Sequence, residues 1–432
     1  MFVKRPIFLA IVVWLALLTR LLFLSKVHPV PVSDFHWYYT QGMAIANGQG
    51  YRYNGQPTAY FPIGYPLFLA GIFKLFGESW WPAVLANVVL NSATAGLVYL
   101  IAEYLWTPAV ALISGIAMAL YVPHIEWTSV ICSEIIFSFL FLLTGYLWLR
   151  SDKRSWWLLV VSGIVLGITS IVRPVTLLFP VAYLIYALYR RFGFWASVRR
   201  FAVIVVIMLV TISPVTIRNY EAFHQVVLVS ANGGVNLWQG NNPNANGTYF
   251  WPENPQLNPF LNYKTQAVAE NPVAKHLAES YILHHPLHTI RMGFVKWHYF
   301  FKGVANVQFY TTRLSVPPVS AGFAAMIAKL SFWSYVLSYL LGALGFLFTL
   351  RDVIEGRNAR IGILWLAIFY YLGLFFIFPA WSRMRAPMSP WVMVFVGLGI
   401  WQGLRAVSGR MRRDTSMRRQ TRDVGHRQDA VK

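Results

Sequence analysis

Stretches of about 15 to 25 apolar residues recur along the whole chain, and each is long enough to cross a bilayer as a helix. They lie at Pro6–Ser25, Pro82–Ile101, Pro108–Val122, Val130–Leu149, Trp156–Val172, Pro174–Tyr189, Phe201–Ile217, Gly322–Leu350, Ile361–Pro379 and Ala386–Leu404, ten in all. This spacing predicts an all-α polytopic membrane protein. Composition excludes the alternatives for a chain of 432 residues: 57% are apolar, only 12% are charged, and mean hydropathy is +0.51, outside the range of soluble domains. Aromatic residues at 17% argue against disorder, and a single cysteine, Cys132, cannot close an intrachain disulfide. The net charge of +21 would suggest nucleic acid in a soluble protein. Here it has to be divided by side of the membrane first.

That division gives the topology. Lys4-Arg5 precede an apolar run that imitates a secretory signal, but Arg20 and Lys26 stand where small residues would be needed for cleavage, so a retained first helix is expected. The basic connectors Arg150/Lys153/Arg154, Arg190/Arg191/Arg199/Arg200 and Arg351/Arg357/Arg360 fall on one face with the amino terminus and the Arg-rich tail. The positive-inside rule makes that face cytoplasmic, with both termini on it, as in an inner-membrane protein. Tyr60–Phe76 is apolar enough to span but broken by Pro62, Gly64 and Pro66. Letting it cross would flip every later basic loop outward, so it is assigned to a helix lying in the outer interface. The expected organisation is a module of seven membrane helices over 1–217 with an outer loop at 27–81, a long extracytoplasmic loop at 218–321, three further helices at 322–404, and a basic cytoplasmic tail at 405–432 that touches solvent or anionic lipid. The bulk of the non-membrane residues then lies outside, where loops on a rigid scaffold carry binding and chemistry.

The sharpest candidate is Asp34, in Ser33-Asp34-Phe35-His36-Trp37-Tyr38-Tyr39 just past the first helix. A carboxylate among aromatics can act as a base toward a hydroxyl, or cap the helical stretch Phe35–Ala46, and the two roles are compatible. His36 and Tyr38 flank it, and Tyr60 and Tyr65 belong to the interfacial element that could wall a groove for a lipid. Glu126 belongs with His124 to the second outer loop, Val122–Ser129, and Glu134 to the start of the fourth helix, where an ionisable residue needs a partner; Arg173 and Arg218 are available to Glu134. Arg20, Arg173, Arg218, Arg383 and Arg385 all fall at outer helix ends, a set able to hold a phosphate through forked hydrogen bonds or to snorkel toward headgroups. Arg383 and Arg385 are the more pointed pair, sharing a very short outer turn where cations are normally depleted. In the long loop, Asn232, Asn236 and their neighbours interleave amides with aromatics, a pattern that suits a sugar as well as turns. His284, His285 and His288 carry no accompanying metal motif and fit a surface helix, so no metal ligand is assigned.

The order of these features resembles GT-C fold glycosyltransferases, in particular prokaryotic relatives of protein O-mannosyltransferases and of the lipid A aminoarabinose transferase. The resemblance covers most of residues 5–404. It rests on Asp34, on Ala44-Ile-Ala-Asn-Gly48-Gln-Gly50-Tyr51, on Tyr60-Phe-Pro-Ile-Gly-Tyr-Pro-Leu-Phe-Leu69, and on Ser133-Glu134, Arg173-Pro174, Arg218-Asn219-Tyr220 and Asn232-Gly233-Gly234. It implies a polyprenyl-phosphate sugar donor, an acceptor protein, lipid or glycan, transfer outside the cytoplasm, and inversion at the anomeric carbon. Asp34 matches the acid of the first outer loop in that family and Glu134 the acid at the start of helix four, which makes these two the catalytic candidates. Many relatives carry Asp-Glu where this chain has Asp34-Phe35, so a divalent metal is allowed but not indicated. The chemistry agrees: expelling a phosphate needs a base for the incoming hydroxyl and cations for the leaving group. A transporter or flippase for an anionic lipid-linked solute is the alternative, and a non-catalytic sugar-binding scaffold the third reading.

Overall fold

A computed structural model describes residues 4–151 and 155–406. Each of the ten apolar stretches is helical, and six helices are long and apolar enough to cross a membrane: Arg5–Leu24, Trp80–Leu105, Ser133–Arg150, Phe194–Phe223, Ala321–Phe348 and Ala359–Ile377. A seventh crossing arises if the bent pair Pro108–Ala119 and Val122–Thr128 is one span. The expected straight helix Pro108–Val122 is thus corrected: it stops at Ala119 and turns by 50° into a short helix carrying His124 and Glu126. Pro123 in the first turn of that short helix lacks the N–H a continuous helix would require. Trp156–Val172 and Pro174–Tyr189 are shorter apolar helices, the second opening with a 3₁₀ turn. The Phe194–Phe223 helix outruns its apolar stretch at both ends, so Arg218, Asn219 and Tyr220 lie inside a helix and do not open the loop. A 3₁₀ turn over Ser382–Met388 leads into the last helix, 389–406. Lys153, Arg154 and the basic tail beyond 406 lie outside the described residues.

The two long loops form a layer at one end of the bundle. The first contributes helices Asp34–Ala46 and Gly64–Phe76, with a small hairpin between them that departs from an all-helical expectation. Its turn is Asn54-Gly55, with φ of 50° and 77°, the left-handed values that a two-residue hairpin turn demands. The second loop contributes helices Gly233–Gly240, Tyr263–His284, Pro286–Phe301 and Ala305–Tyr310. The loops are joined to each other. Val30 N–H donates to Leu314 O, Val316 N–H to His28 O, and Ala231 N–H to Ala59 O. Ala59 also belongs to a small apolar core with Val235, Trp238, Phe260 and Tyr263, separate from the main core of the membrane bundle. Burial of that apolar area is what folds residues 231–278 onto the first loop.

Gly64 fixes how the Gly64–Phe76 helix meets the bundle. A Cβ there would lie 2.6 Å from the backbone carbonyl of Ile171, at the end of the Trp156–Val172 helix. Only glycine permits that approach, and it seats the first loop beside Arg173. The glycine that broke the apolar stretch in the sequence is therefore a packing contact.

Candidate active site

Four separate chain segments deliver one cluster of charges. Asp34 is the first residue of its helix. Ser33, at φ 52°, holds the N-cap position without a side-chain capping bond, which corrects the expectation that Asp34 is the cap. Its carboxylate is consequently free of the backbone and turns inward. Glu134 stands in the first turn of Ser133–Arg150, where the unpaired N–H groups and the positive end of the helix dipole favour an anion. Arg173 ends its helix because the following Pro174 forces it into an extended conformation, φ −147° and ψ 113°. Arg383 arrives on the 3₁₀ turn between the last two helices.

Arg383 is the hub. Its Nε donates to Glu134 Oε1 at 2.6 Å, and its Nη1 to Asp34 Oδ2 at 3.1 Å. Arg173 Nη2 reaches the same Glu134 oxygen at 3.1 Å. The Arg383 guanidinium also lies over the Phe35 ring at 4.4 Å, a cation–π contact that holds its plane. Burial opposes the Arg383 charge, yet Glu134 and Asp34 beside it hold its pKa above the ordinary arginine value. Exposure separates the members: the side chains of Glu134 and Arg383 are 0% and 4% exposed, whereas that of Asp34 is 35% exposed. Glu134 and Arg383 thus form the buried footing, and Asp34 the part that meets solvent.

Asp34 and Arg383 face a cleft of about 420 Å³. Tyr60, Tyr249, Trp251, Tyr310 and Trp381 supply aromatic walls; Gln239, Asn306 and Lys264 supply polar points. The Tyr249 and Trp381 rings meet edge to face with centroids 6.1 Å apart. Burial raises the Tyr60 and Tyr249 hydroxyls above their ordinary pKa, with the Asp34 charge adding to it, so both remain neutral hydrogen-bonding groups. Aromatic faces beside amide and hydroxyl groups suit a sugar ring, whose two faces are apolar C–H and whose rim is hydroxyl.

Other candidates are placed elsewhere. Arg20 is buried and donates to the carbonyls of Ala16, Met118 and Ala119, tying the first helix to the end of the third. Arg218 donates to the carbonyls of Tyr51 and Thr58, and Arg385 to those of Phe300 and Gly303. These three arginines satisfy backbone oxygens of loops and helix ends. Glu126 is buried and accepts from the Ser331 hydroxyl, and Tyr38 and Tyr65 pack edge to face inside the main core. His36 and Asn236 are exposed on turns of their helices away from the cleft lining. Asn232, at the N-terminus of Gly233–Gly240, lines a neighbouring cavity of about 510 Å³ instead. His284 bonds the Ser280 carbonyl of its own helix, and among the described residues no three His, Cys, Asp or Glu side chains converge as a metal site. The sequence pattern did not single out Tyr249, Trp251, Lys264, Asn306 or Tyr310. Thr248-Tyr249-Phe250-Trp251, an aromatic run directly after the sequon Asn246-Gly-Thr248, was the available signal.

Solved structures with the same arrangement of helices settle the fold. The archaeal oligosaccharyltransferase AglB from Archaeoglobus fulgidus, in complex with an inhibitory peptide and a dolichol-phosphate, superposes with a TM-score of 0.56 over 95% of this chain, at 14% identity. This is a GT-C fold. A second structure of the A. fulgidus enzyme, with Zn and sulfate, matches at TM-score 0.53, 13% identity and 93% of this chain. The chain spans about half the length of these GT-C relatives, 52% and 50%. ArnT from Cupriavidus metallidurans bound to undecaprenyl phosphate matches 94% of this chain and 78% of its own at 17% identity and a TM-score of 0.44. The family model for dolichyl-phosphate-mannose-protein mannosyltransferase matches residues 61–217, from just before the Gly64–Phe76 helix to the end of the seventh apolar stretch. No curated protein sequence matches the chain. With its apolar helices, this GT-C chain is an integral membrane protein.

Proposed function

We propose that this protein is a membrane glycosyltransferase that moves a sugar from a polyprenyl-phosphate donor to an acceptor hydroxyl at the extracytoplasmic face of the inner membrane, with inversion and with both termini cytoplasmic. One observation carries the reading: a half-buried carboxylate, Asp34, and a buried guanidinium, Arg383, stand together on the wall of an aromatic cleft at the end of the helix bundle. Its fold relatives include an enzyme whose structure holds a dolichol-phosphate, which supports a lipid phosphate on the donor side.

The reaction needs few parts. The acceptor oxygen attacks the anomeric carbon from the face opposite the lipid phosphate, and the bond from that carbon to the phosphate oxygen breaks with its electron pair going to the phosphate. Asp34 takes the acceptor proton on Oδ1, which also accepts from the Ser33 hydroxyl at 3.4 Å, while Oδ2 stays on Arg383. The departing phosphate is already a stable anion, so no acid has to protonate it. Arg383 receives its charge, and Lys264 lies in the same cleft. Trp381 and Tyr249 cover the sugar ring. Glu134 is a positioning residue: buried and out of the cleft lining, it sets the orientation of Arg383 and Arg173. The acceptor is a protein, lipid or glycan hydroxyl.

The test is transfer from a synthetic polyprenyl-phosphate sugar by purified protein in lipid nanodiscs. Asp34→Asn should keep donor affinity and lose about a hundredfold or more in turnover, the usual effect of removing a general base. Full turnover by Asp34→Asn would end the catalytic assignment. Accumulation of intact lipid-linked sugar in proteoliposomes, without covalent product, would replace the enzyme reading by the transporter one.

A further inference from the structure

Paired carboxylates at a phosphate-handling site ordinarily call for a divalent cation, which neutralises the leaving group and is held by oxygen ligands from both acids. A relative of this fold is described in complex with Zn. Asp34 and Glu134 are such a pair in this chain, but the position between them is filled. The two acids grip adjacent nitrogens of one side chain, Arg383 Nη1 at 3.1 Å and Nε at 2.6 Å. The second cation, Arg173, sits against the same Glu134 oxygen at 3.1 Å. A divalent ion brought here would meet two fixed guanidinium charges. Among the described residues no third His, Cys, Asp or Glu side chain adjoins the pair, so an ion there would have to complete its shell with water in a place the guanidinium already fills. The residues therefore do not fit a metal at this pair.

Nor can Arg383 readily vacate the position. Its side chain is 4% exposed, it is braced by the Phe35 ring, and its backbone is held in a 3₁₀ turn containing Pro387. Arginine suits such a place because its guanidinium stays charged when buried, its planar fork can bond two carboxylates and an oxyanion at once, and it is less strongly hydrated than an ammonium. Nε and Nη1 are used by the acids, while Nη2 has no hydrogen-bond partner among the described residues, and the residue lines the cleft.

We propose that Arg383 is the resident cation of this site, standing between Asp34 and Glu134 where a divalent metal would otherwise bind, and presenting Nη2 to the donor phosphate so that transfer runs without a divalent ion. The catalytic half of this assignment rests on the glycosyltransferase reading; the occupancy of the acid pair does not. Three things follow: chelation leaves transfer intact, the wild type has no Mn²⁺ site at the pair, and removing the guanidinium creates one.

The experiment uses the full chain in nanodiscs with Mn²⁺ as the probe, read by electron paramagnetic resonance, alongside transfer assayed with and without EDTA. The expected wild-type result is activity within about twofold after chelation, and no bound Mn²⁺ signal that Asp34→Asn removes. Arg383→Ala should gain a Mn²⁺ site that the additional Asp34→Asn change abolishes. Arg383→Lys, which keeps the charge without the fork, should stay silent toward Mn²⁺ and transfer about tenfold more slowly. The proposal is overturned by an Asp34-dependent Mn²⁺ site in the wild type, by EDTA-abolished transfer that Mn²⁺ restores, or by a folded Arg383→Ala protein with no Mn²⁺ site. Should Arg383→Ala not fold, the wild-type and Arg383→Lys measurements decide. Resonance needs no turnover. A protein that forms no product but shows the expected Mn²⁺ pattern would sink the transferase reading and leave the cation assignment standing.

Discussion

Replacing Arg383 by methionine keeps most of the side chain's apolar stem and deletes its fork, so it separates the two carboxylates by environment. Glu134 is 0% exposed and one of its oxygens, Oε2, already lacks a partner. Without Arg383 it retains only Arg173, at 3.1 Å. Breaking a buried pair by removing one member costs about 3–5 kcal/mol, because the surviving charge stays out of water. Asp34→Asn removes a different partner of the same guanidinium, but that carboxylate is 35% exposed and can be solvated. Half-exposed pairs are worth up to about 1 kcal/mol. Arg383→Met should therefore be less stable than Asp34→Asn by roughly 2–4 kcal/mol, although both lose transfer. Unfolding in mixed micelles with increasing denaturing detergent, followed by tryptophan fluorescence, compares the midpoints at matched slopes. Equal midpoints for the two variants, or an Arg383→Met protein as stable as the wild type, would refute the division into a buried footing and a solvent-facing acid.

Gly64→Ala should destabilise by about 1–3 kcal/mol, since the new Cβ lies 2.6 Å from backbone and no side chain can give way; thermal unfolding checks it, and unchanged stability would contradict the close approach. Trp381→Ala should weaken donor binding about threefold to tenfold through loss of one aromatic face, with turnover of bound donor little altered, read from donor titration and single-turnover rates. Burial lowers the Lys296 amine from 10.5 to about 8, where it bonds Asn241 Oδ1 and Ile377 O. The unfolded chain then binds a proton that the folded chain has released between those pH values, so stability should rise from pH 8 to 10.5 through this group. Lys296→Met should flatten that rise, and an identical pH profile for the variant would show the amine to be unperturbed.

Part of the candidate site was legible in the sequence, and the reason differs residue by residue. Asp34 stood out because it follows the first apolar stretch directly and lies among aromatic residues, and Glu134 because an acid at the head of an apolar helix must be paired. Arg173 was one of two partners named for it and is one of two that bind it, the other being Arg383 in place of Arg218. Arg383 was singled out as a phosphate ligand, without its bonds to both acids. Arg385 looked equivalent to it in the sequence, sharing its short turn, and Arg20 and Arg218 belonged to the same set of arginines at helix ends. They prove to be bound to backbone carbonyls, a role that leaves no trace in residue type or spacing.

The sequence by itself determined the helical stretches, the first-loop acid and the break that opens the short apolar helix Gly64–Phe76, since hydrophobic run length, proline and glycine act over a few neighbouring residues. Tertiary structure alone decided which arginine completes the site. Arg383 meets Asp34 across 349 positions and Glu134 across 249. Contacts at that separation depend on how the helices pack and where the 3₁₀ turn sets one guanidinium down. That is a property of the assembled bundle, because any of several identical side chains could have satisfied the same buried carboxylate.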